Sequence, residues 1–532
     1  MNKKLLFLLL ISLFLFTWHI GSIPILDGDT AFSAKIAKNI IEKGDWITLR
    51  FLNPIDLVPK PPLFYWMMAA GMKIFGVNEF GLSIFHSLVG VLTVLLTYLI
   101  AKELYDEKTA FWSGLILLTS AQFFYAGRSP LQDMPLTFFI AAAFYCFVLF
   151  EKRKKYLFLY LIPVFTALAL LTKGPVGLVL VGLVLFVYTI WNKSILSYLH
   201  LYFPHLCLCL CLCLVLILPW FVAEYKIIGK PFADIMIGSN FGRFFHPTDS
   251  IGNDPTINTA SPQYDFYSYF LQLFILFVPW SGFLYPALFS SIRKPENRFI
   301  ISWALGVLLF FSLSLNYKIS RYILPAYPAL AIIIASYLCN DKLQMTCLAA
   351  RRANVKWGKW TNAILIIPLL FLGTIYMILS FPKQQAAYQP IVLPFIIIFT
   401  IGMIVFSVFL FRNQLKTAMK TVVCFSLASY IVLIFSLNLF FKEANPIKRF
   451  CETINRDNDG VTVLYQAESS SPFAAFYLND DFVQTRDEKN IQNLMKIVPK
   501  VYVISENPTA DKIIRDSKVV VRKSNFVLFS NQ

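Results

Sequence analysis

Apolar stretches close to the roughly 20 residues that a helix needs to cross a bilayer recur along most of the chain, separated by short polar loops. They fall near residues 5–25, 82–101, 110–127, 134–150, 156–172, 174–191, 202–223, 265–288, 299–315, 321–339, 361–381, 389–411 and 419–441. The pattern predicts an all-α polytopic membrane protein of about 13 transmembrane helices. Lys3 and Lys4 precede the first stretch, and alternate loops beyond it are basic: Lys152 to Lys155, Arg293 with Lys294 and Arg298, Arg351 with Arg352, and Arg412 with Lys416. Loops of this kind stay cytoplasmic. The N-terminus is therefore expected in the cytoplasm, and the odd span count places the C-terminal tail and the loop after the first span across the membrane. No small-x-small cleavage site precedes Pro24, so the first stretch reads as an uncleaved anchor.

Two outer loops break the pattern. In loop 26–81, Phe32, Ile36 and Ile40 recur at helical spacing while Lys35, Lys38 and Glu42 face elsewhere, which predicts an amphipathic helix lying on the membrane. A second apolar segment, 63–75, follows Pro61 and Pro62, whose restricted backbone sets Lys60 at the turn. Loop 224–264 is rich in Gly, Pro, Asn and Asp around Phe241 to His246 and is expected to act as a lid. Residues 1–441 thus form a transmembrane domain. Residues 442–532 have the composition of a small soluble α/β domain, with strands expected at 461–465, 501–504, 519–521 and 526–529 and no glycine-rich nucleotide loop.

Composition agrees with this reading: 57% of residues are hydrophobic and only 14% charged, against about 25% charged in soluble domains. The net charge of +17 resides in anchoring loops and outward basic residues, so nucleic acid is not an expected partner. Of nine cysteines, Cys207, Cys209, Cys211 and Cys213 step through one span and divide between two helix faces, which excludes a shared metal.

The candidate chemistry lies on one membrane face. Asp29 and Lys60 share the first outer loop, Asp133 lies between the third and fourth spans, Lys173 between the fifth and sixth, Arg243 in the lid, and Lys318 and Arg321 before the tenth. Cations at the lipid boundary can hold a lipid-linked phosphate and stabilise the charge that grows on it as a sugar leaves. Lys60, Lys173, Arg243, Lys318 and Arg321 are the candidates for that task. A carboxylate beside them would orient the acceptor or take its proton; Asp29 is the first choice and Asp133 the second. Each has a plainer alternative. Both aspartates stand where helix N-caps are expected, and the lysines could be interfacial anchors. His246 could serve a metal or a phosphate, but a lone loop histidine assigns neither.

The ordered motifs resemble the superfamily of bacterial aminoarabinose transferases and protein O-mannosyltransferases, membrane glycosyltransferases of the GT-C type. Asp29 through Lys43-Gly44-Asp45-Trp46, Lys60-Pro61-Pro62-Leu63-Phe64-Tyr65-Trp66, Gln132-Asp133-Met134-Pro135, Thr172-Lys173-Gly174-Pro175, Val278-Pro279-Trp280 and Arg321 to Leu330 follow the family's order. The resemblance implies a polyprenyl-phosphate sugar donor, inversion at the anomeric carbon, and transfer on the periplasmic face of the inner membrane. For the aminoarabinose branch it implies lipid A as acceptor. It makes Asp29 the catalytic aspartate, Lys60 the phosphate-contacting lysine and Asp133 the aspartate of the second outer loop. Thr30 and Pro59 replace two acidic residues of the family pattern. The second is a metal or substrate contact in the family, so with Pro59 in its place a divalent metal stays an open alternative here. A protein or another envelope glycan is the alternative acceptor. A polyprenyl-lipid flippase is the alternative outside enzymes; coupled transporters, however, carry ionisable residues near the middle of their spans, where this chain has almost none.

Overall fold

The computed structural model describes residues 2–52, 60–238, 265–339 and 389–530, together with Val58 and apart from short stretches at 26, 194, 315–317, 413, 445, 458–459, 466–470, 480–481, 486, 506–517 and 524–525. Helices dominate. The first half comprises α1 (Lys3–Thr17), α2 (Gly28–Lys43), α3 (Leu63–Phe75), α4 (Glu79–Leu104), α5 (Glu107–Thr119), α6 (Ala121–Arg128), α7 (Asp133–Arg153), α8 (Tyr156–Lys173), α9 (Val176–Trp191), α10 (Ile195–Ile228) and α11 (Lys230–Ile237). Then follow α12 (Ser268–Leu276), α13 (Ser281–Ile292), α14 (Arg298–Leu313), a 3-10 helix (Ser320–Ala326), α15 (Tyr327–Cys339), α16 (Gln389–Phe411) and α17 (Leu415–Ala444).

Eight helical segments among the described residues are long and apolar enough to cross a membrane, so the protein is multi-pass. These eight stand against the 13 apolar stretches expected from the sequence. Stretch 361–381 lies outside the described residues, α1 ends at Thr17, and stretches 110–127 and 265–288 are each two helices. Ser120 leaves the helical region between α5 and α6, and residues 277–280 separate α12 from α13. A break between helices frees backbone groups that must find other partners when buried. Here the two breaks satisfy each other: the Ala121 N–H donates to the Val278 carbonyl at 2.9 Å. Trp280, fully buried, donates its indole N–H to Thr119 Oγ1 at 2.9 Å, and the Tyr430 hydroxyl of α17 donates to the Thr119 carbonyl at 2.8 Å.

Around this seam α7 is enclosed by α4, α8 and the 3-10 helix; its run Ala141-Ala142-Ala143 is fully or almost fully buried, and small side chains let membrane helices approach closely. Alternation along α10 is as expected: Cys207 and Cys211 face outward, while Cys213 is buried and Cys209 half-buried.

The surface-lying amphipathic helix expected over Phe32 to Glu42 is corrected. α2 is buried on nearly every side from Thr30 to Ile40, Lys35 and Lys38 included, because α3 packs on one flank and helix Ser471–Tyr477 of the C-terminal tail covers the other. Asn39 fixes the turn beyond it, donating to the Arg50 and Phe51 carbonyls at 3.0 and 2.6 Å. α3 is pressed in turn against α4, where a Cβ on Gly71 would collide with the Gly81 carbonyl.

The tail consists of α18 (Pro446–Asp457), β1 (Val461–Tyr465), α19 (Ser471–Tyr477), β2 (Phe482–Thr485), α20 (Glu488–Ile497), β3 (Val501–Ser505), β4 (Lys518–Lys523) and β5 (Phe526–Ser530). The strands form one sheet in the order β2-β1-β3-β5-β4, parallel across β2-β1-β3 and antiparallel across β3-β5-β4. All of β3 is buried, as the centre of a sheet covered on both faces requires. Leu464, Tyr502 and Ile504 face α18 and α19, whereas Val463, Val501 and Val503 face α20.

Candidate active site

α7 and α8 form an antiparallel hairpin, so the first residue of α7, Asp133, and the last residue of α8, Lys173, arrive at the same end. The negative charge sits at the positive end of one helix dipole and the ammonium at the negative end of the other, both favourable placements. The two groups are bonded, Lys173 Nζ to Asp133 Oδ1, and their side chains are 12% and 5% exposed. A pair this enclosed needs further partners. One is the Tyr322 ring, whose centroid lies 4.2 Å from Lys173 Nζ. The other is Arg321 in the 3-10 helix, whose Nε lies 3.5 Å from Asp133 Oδ2.

Arg321 reaches further. Its Nη2 donates to Asp29 Oδ2 on the first turn of α2, making an alternating series Lys173, Asp133, Arg321, Asp29 that runs from the interior outwards. The Asp29 side chain is 48% exposed and that of Arg321 28%, so the inner pair is fixed by the fold while the outer pair meets whatever approaches. Asp29 does not cap its helix. That task belongs to Asp27, whose carboxylate accepts the Thr30 N–H at 3.0 Å and the Thr30 hydroxyl at 3.1 Å. Asp133 likewise makes no N-cap bond; Gln132 holds the cap position.

Tyr65 of α3 backs the site. It is buried between α2 and the loop before α7, its hydroxyl accepting from Gln132 Nε2 at 3.3 Å and bonding Ser33. Burial pushes this phenol well above its ordinary range, with a smaller push from Asp29, so it stays neutral. Neither Tyr65 nor Tyr322 is singled out by residue type alone, since buried tyrosines are common; their places in the Lys60 and Arg321 motifs were the available signal.

The other candidates divide. Lys60 stands half-buried just ahead of α3. Lys318 is corrected from phosphate ligand to helix cap: it is 5% exposed, and its ammonium donates to the carbonyls of Phe311, Ser312 and Ser314, which end α14. Arg243 and His246 lie outside the described residues. Among the described residues no three His, Cys, Asp or Glu side chains gather as a metal set.

The fold and the site define a multi-pass membrane protein with a row of alternating charges at the mouth of its helical body. Comparison with known proteins supplies the rest. The profile described as dolichyl-phosphate-mannose-protein mannosyltransferase matches residues 59–222. An uncharacterised Aquifex aeolicus protein is 33% identical over 397 residues, 74% of this chain and 72% of its own. The undecaprenyl phosphate-α-4-amino-4-deoxy-L-arabinose arabinosyl transferase of Pseudomonas paraeruginosa is 28% identical over 60% of this chain; the match spans just over half of that relative, 56%. In fold, the chain is similar to ArnT from Cupriavidus metallidurans bound to undecaprenyl phosphate, with a TM-score of 0.76 at 20% identity over 99% of this chain and 98% of that one. The archaeal oligosaccharyltransferase AglB from Archaeoglobus fulgidus shares the fold more distantly, with a TM-score of 0.53 at 12% identity over 96% of this chain and 69% of that one. The chain belongs to the GT-C superfamily of membrane glycosyltransferases that take their sugars from polyprenyl phosphates.

Proposed function

We propose that this glycosyltransferase moves an amino sugar of the aminoarabinose type from a polyprenyl-phosphate donor to lipid A, on the periplasmic face of the inner membrane, with the C-terminal domain on that side. The single observation that carries the reading is the series Lys173, Asp133, Arg321, Asp29. Its formal charge is zero, so it resists no approaching anion, and its outermost cation is already oriented by two carboxylates.

When the donor arrives, its phosphate competes with Asp29 for Arg321, whose planar guanidinium can grip two phosphate oxygens at once. Lys60 supplies a second positive charge to that phosphate from the start of α3. Lys173 acts at one remove, holding Asp133 and through it the Arg321 side chain. Release from Arg321 leaves the Asp29 carboxylate free to take the proton of an acceptor hydroxyl or of a singly protonated phosphate. The acceptor oxygen then attacks the anomeric carbon as the bond to the donor phosphate breaks. The departing polyprenyl phosphate carries the electron pair, and its growing charge meets Arg321 and Lys60. Attack opposite the leaving group inverts the anomeric centre, and no covalent enzyme intermediate forms.

Mass spectrometry of lipid A and envelope glycans from cells with and without the gene tests this reading. A pentosamine on lipid A that disappears with the gene is expected. Unchanged lipid A with an altered glycoprotein would move the acceptor to protein, the class of acceptor in the description of the matching profile.

A further inference from the structure

The C-terminal domain does more than cover α2. Lys38, in the middle of that helix and 5% exposed, donates to the carbonyls of Phe476 and Leu478 at 3.0 and 2.6 Å. These carbonyls end α19, where a cation is favoured by both the unpaired acceptors and the helix dipole. The Tyr477 hydroxyl accepts the backbone N–H of Ile25 at 3.0 Å, two residues before the Asp27 cap. It also donates to Glu79 Oε1 at 3.1 Å, and Lys448 of α18 bonds the same carboxylate. The Tyr477 carbonyl is held from below by Asn455 at 2.8 Å. Phe476 sits in one apolar cluster with Ile36, Ala37 and Ile40 of α2 and Phe64 of α3.

Asp29 itself is half exposed and bonded to Arg321, so its position follows the position of its helix. The N-terminal approach to that helix is fixed by Tyr477 and its middle by Lys38. We infer that Tyr477 and Lys38 are positioning residues for Asp29, and that the soluble tail domain is thereby part of the catalytic apparatus. This rests on Asp29 being the catalytic carboxylate. A displacement of about 1 Å at a reacting group can lower a rate about 100-fold, and a loosened α2 would move Asp29 relative to Arg321.

Tyr477→Phe keeps the buried ring and removes only the hydroxyl; Lys38→Met, which carries a greater risk of misfolding, removes both bonds to α19. Full-length protein in nanodiscs is assayed with undecaprenyl-phosphate-linked 4-amino-4-deoxy-L-arabinose as donor and lipid A as acceptor, alongside hydrogen exchange over residues 28–34. Tyr477→Phe is expected to lower kcat about 10-fold with the donor KM unchanged and exchange in the first turn of α2 faster, while the two lost hydrogen bonds lower the unfolding temperature only slightly. Unchanged exchange, faster exchange with an unchanged kcat, or a fall in kcat with exchange faster throughout the protein would each overturn the proposal. Asp29→Asn separates the two readings. Full activity in that variant removes Asp29 from the mechanism, and if wild-type protein does not turn over this donor and acceptor, the exchange measurement still decides whether the tail holds α2.

Discussion

Replacing Asp133 by Asn tests the inner end of the charge series most directly. The change preserves shape and removes one charge from a pair whose side chains are 5% and 12% exposed. Stranding a buried partner typically costs about 3–5 kcal/mol. Lys173 would be left facing the Tyr322 ring and a neighbouring guanidinium of like charge, so the cost should lie in the upper part of that range. The complementary change, Lys173→Met, leaves Asp133 with Arg321 at 3.5 Å, and should cost about 1–3 kcal/mol, the penalty of a broken but not orphaned interaction. The double variant should be more stable than the sum of the two predicts, by about 2 kcal/mol, because neither charge then remains unpaired. Reversible unfolding in mixed micelles gives all three values. Equal costs for the two single variants, or strict additivity in the double, would refute an asymmetric, coupled pair with Arg321 as the second support.

Asp29→Asn should lower transfer at least 100-fold with little change in unfolding temperature, since the residue is half exposed and does not cap its helix. Asp27→Ala should do the reverse in stability, costing about 1 kcal/mol through loss of the cap, which calorimetry would detect. Arg321→Gln should weaken binding of undecaprenyl phosphate about 10-fold or more, equivalent to about 1.4 kcal/mol, measured by titration in nanodiscs. Lys318→Met should leave that binding unaltered and destabilise the fold instead, as three carbonyls at the end of α14 lose their donor.

The membrane class, most helix positions and the order of the motifs are legible in the chain because hydrophobic length and turn chemistry are local signals. Both helix breaks are missed for the same reason: a run such as 110–127 stays apolar through Ser120, and what stabilises the break is Val278, far away in sequence. Amphipathic spacing places α2 correctly along the chain but assigns its lysines to solvent, because the carbonyls of residues 476 and 478 that receive Lys38 lie more than 400 positions further along the chain. At the site, antiparallel topology alone brings Asp133 to Lys173, and the alternation of loops places Arg321 and Asp29 on the same face. Lys318 differs because its distance from the end of α14 is only a few residues, a local capping geometry that a span-level reading overlooks.

The mutual support of the two helix breaks also bears on how the protein is made. Ala121 emerges from the ribosome about 160 residues before Val278, which at about 5–20 residues per second means roughly eight to thirty seconds of synthesis. During that interval the break between α5 and α6 has no native acceptor, and an unmet N–H removed from water is costly. The N-terminal helices are therefore expected to wait, partly hydrated or sheltered by the insertion machinery, until the segment carrying Trp280 joins them. Truncated chains ending before residue 278 should be retained there, whereas chains extending past α13 should be released.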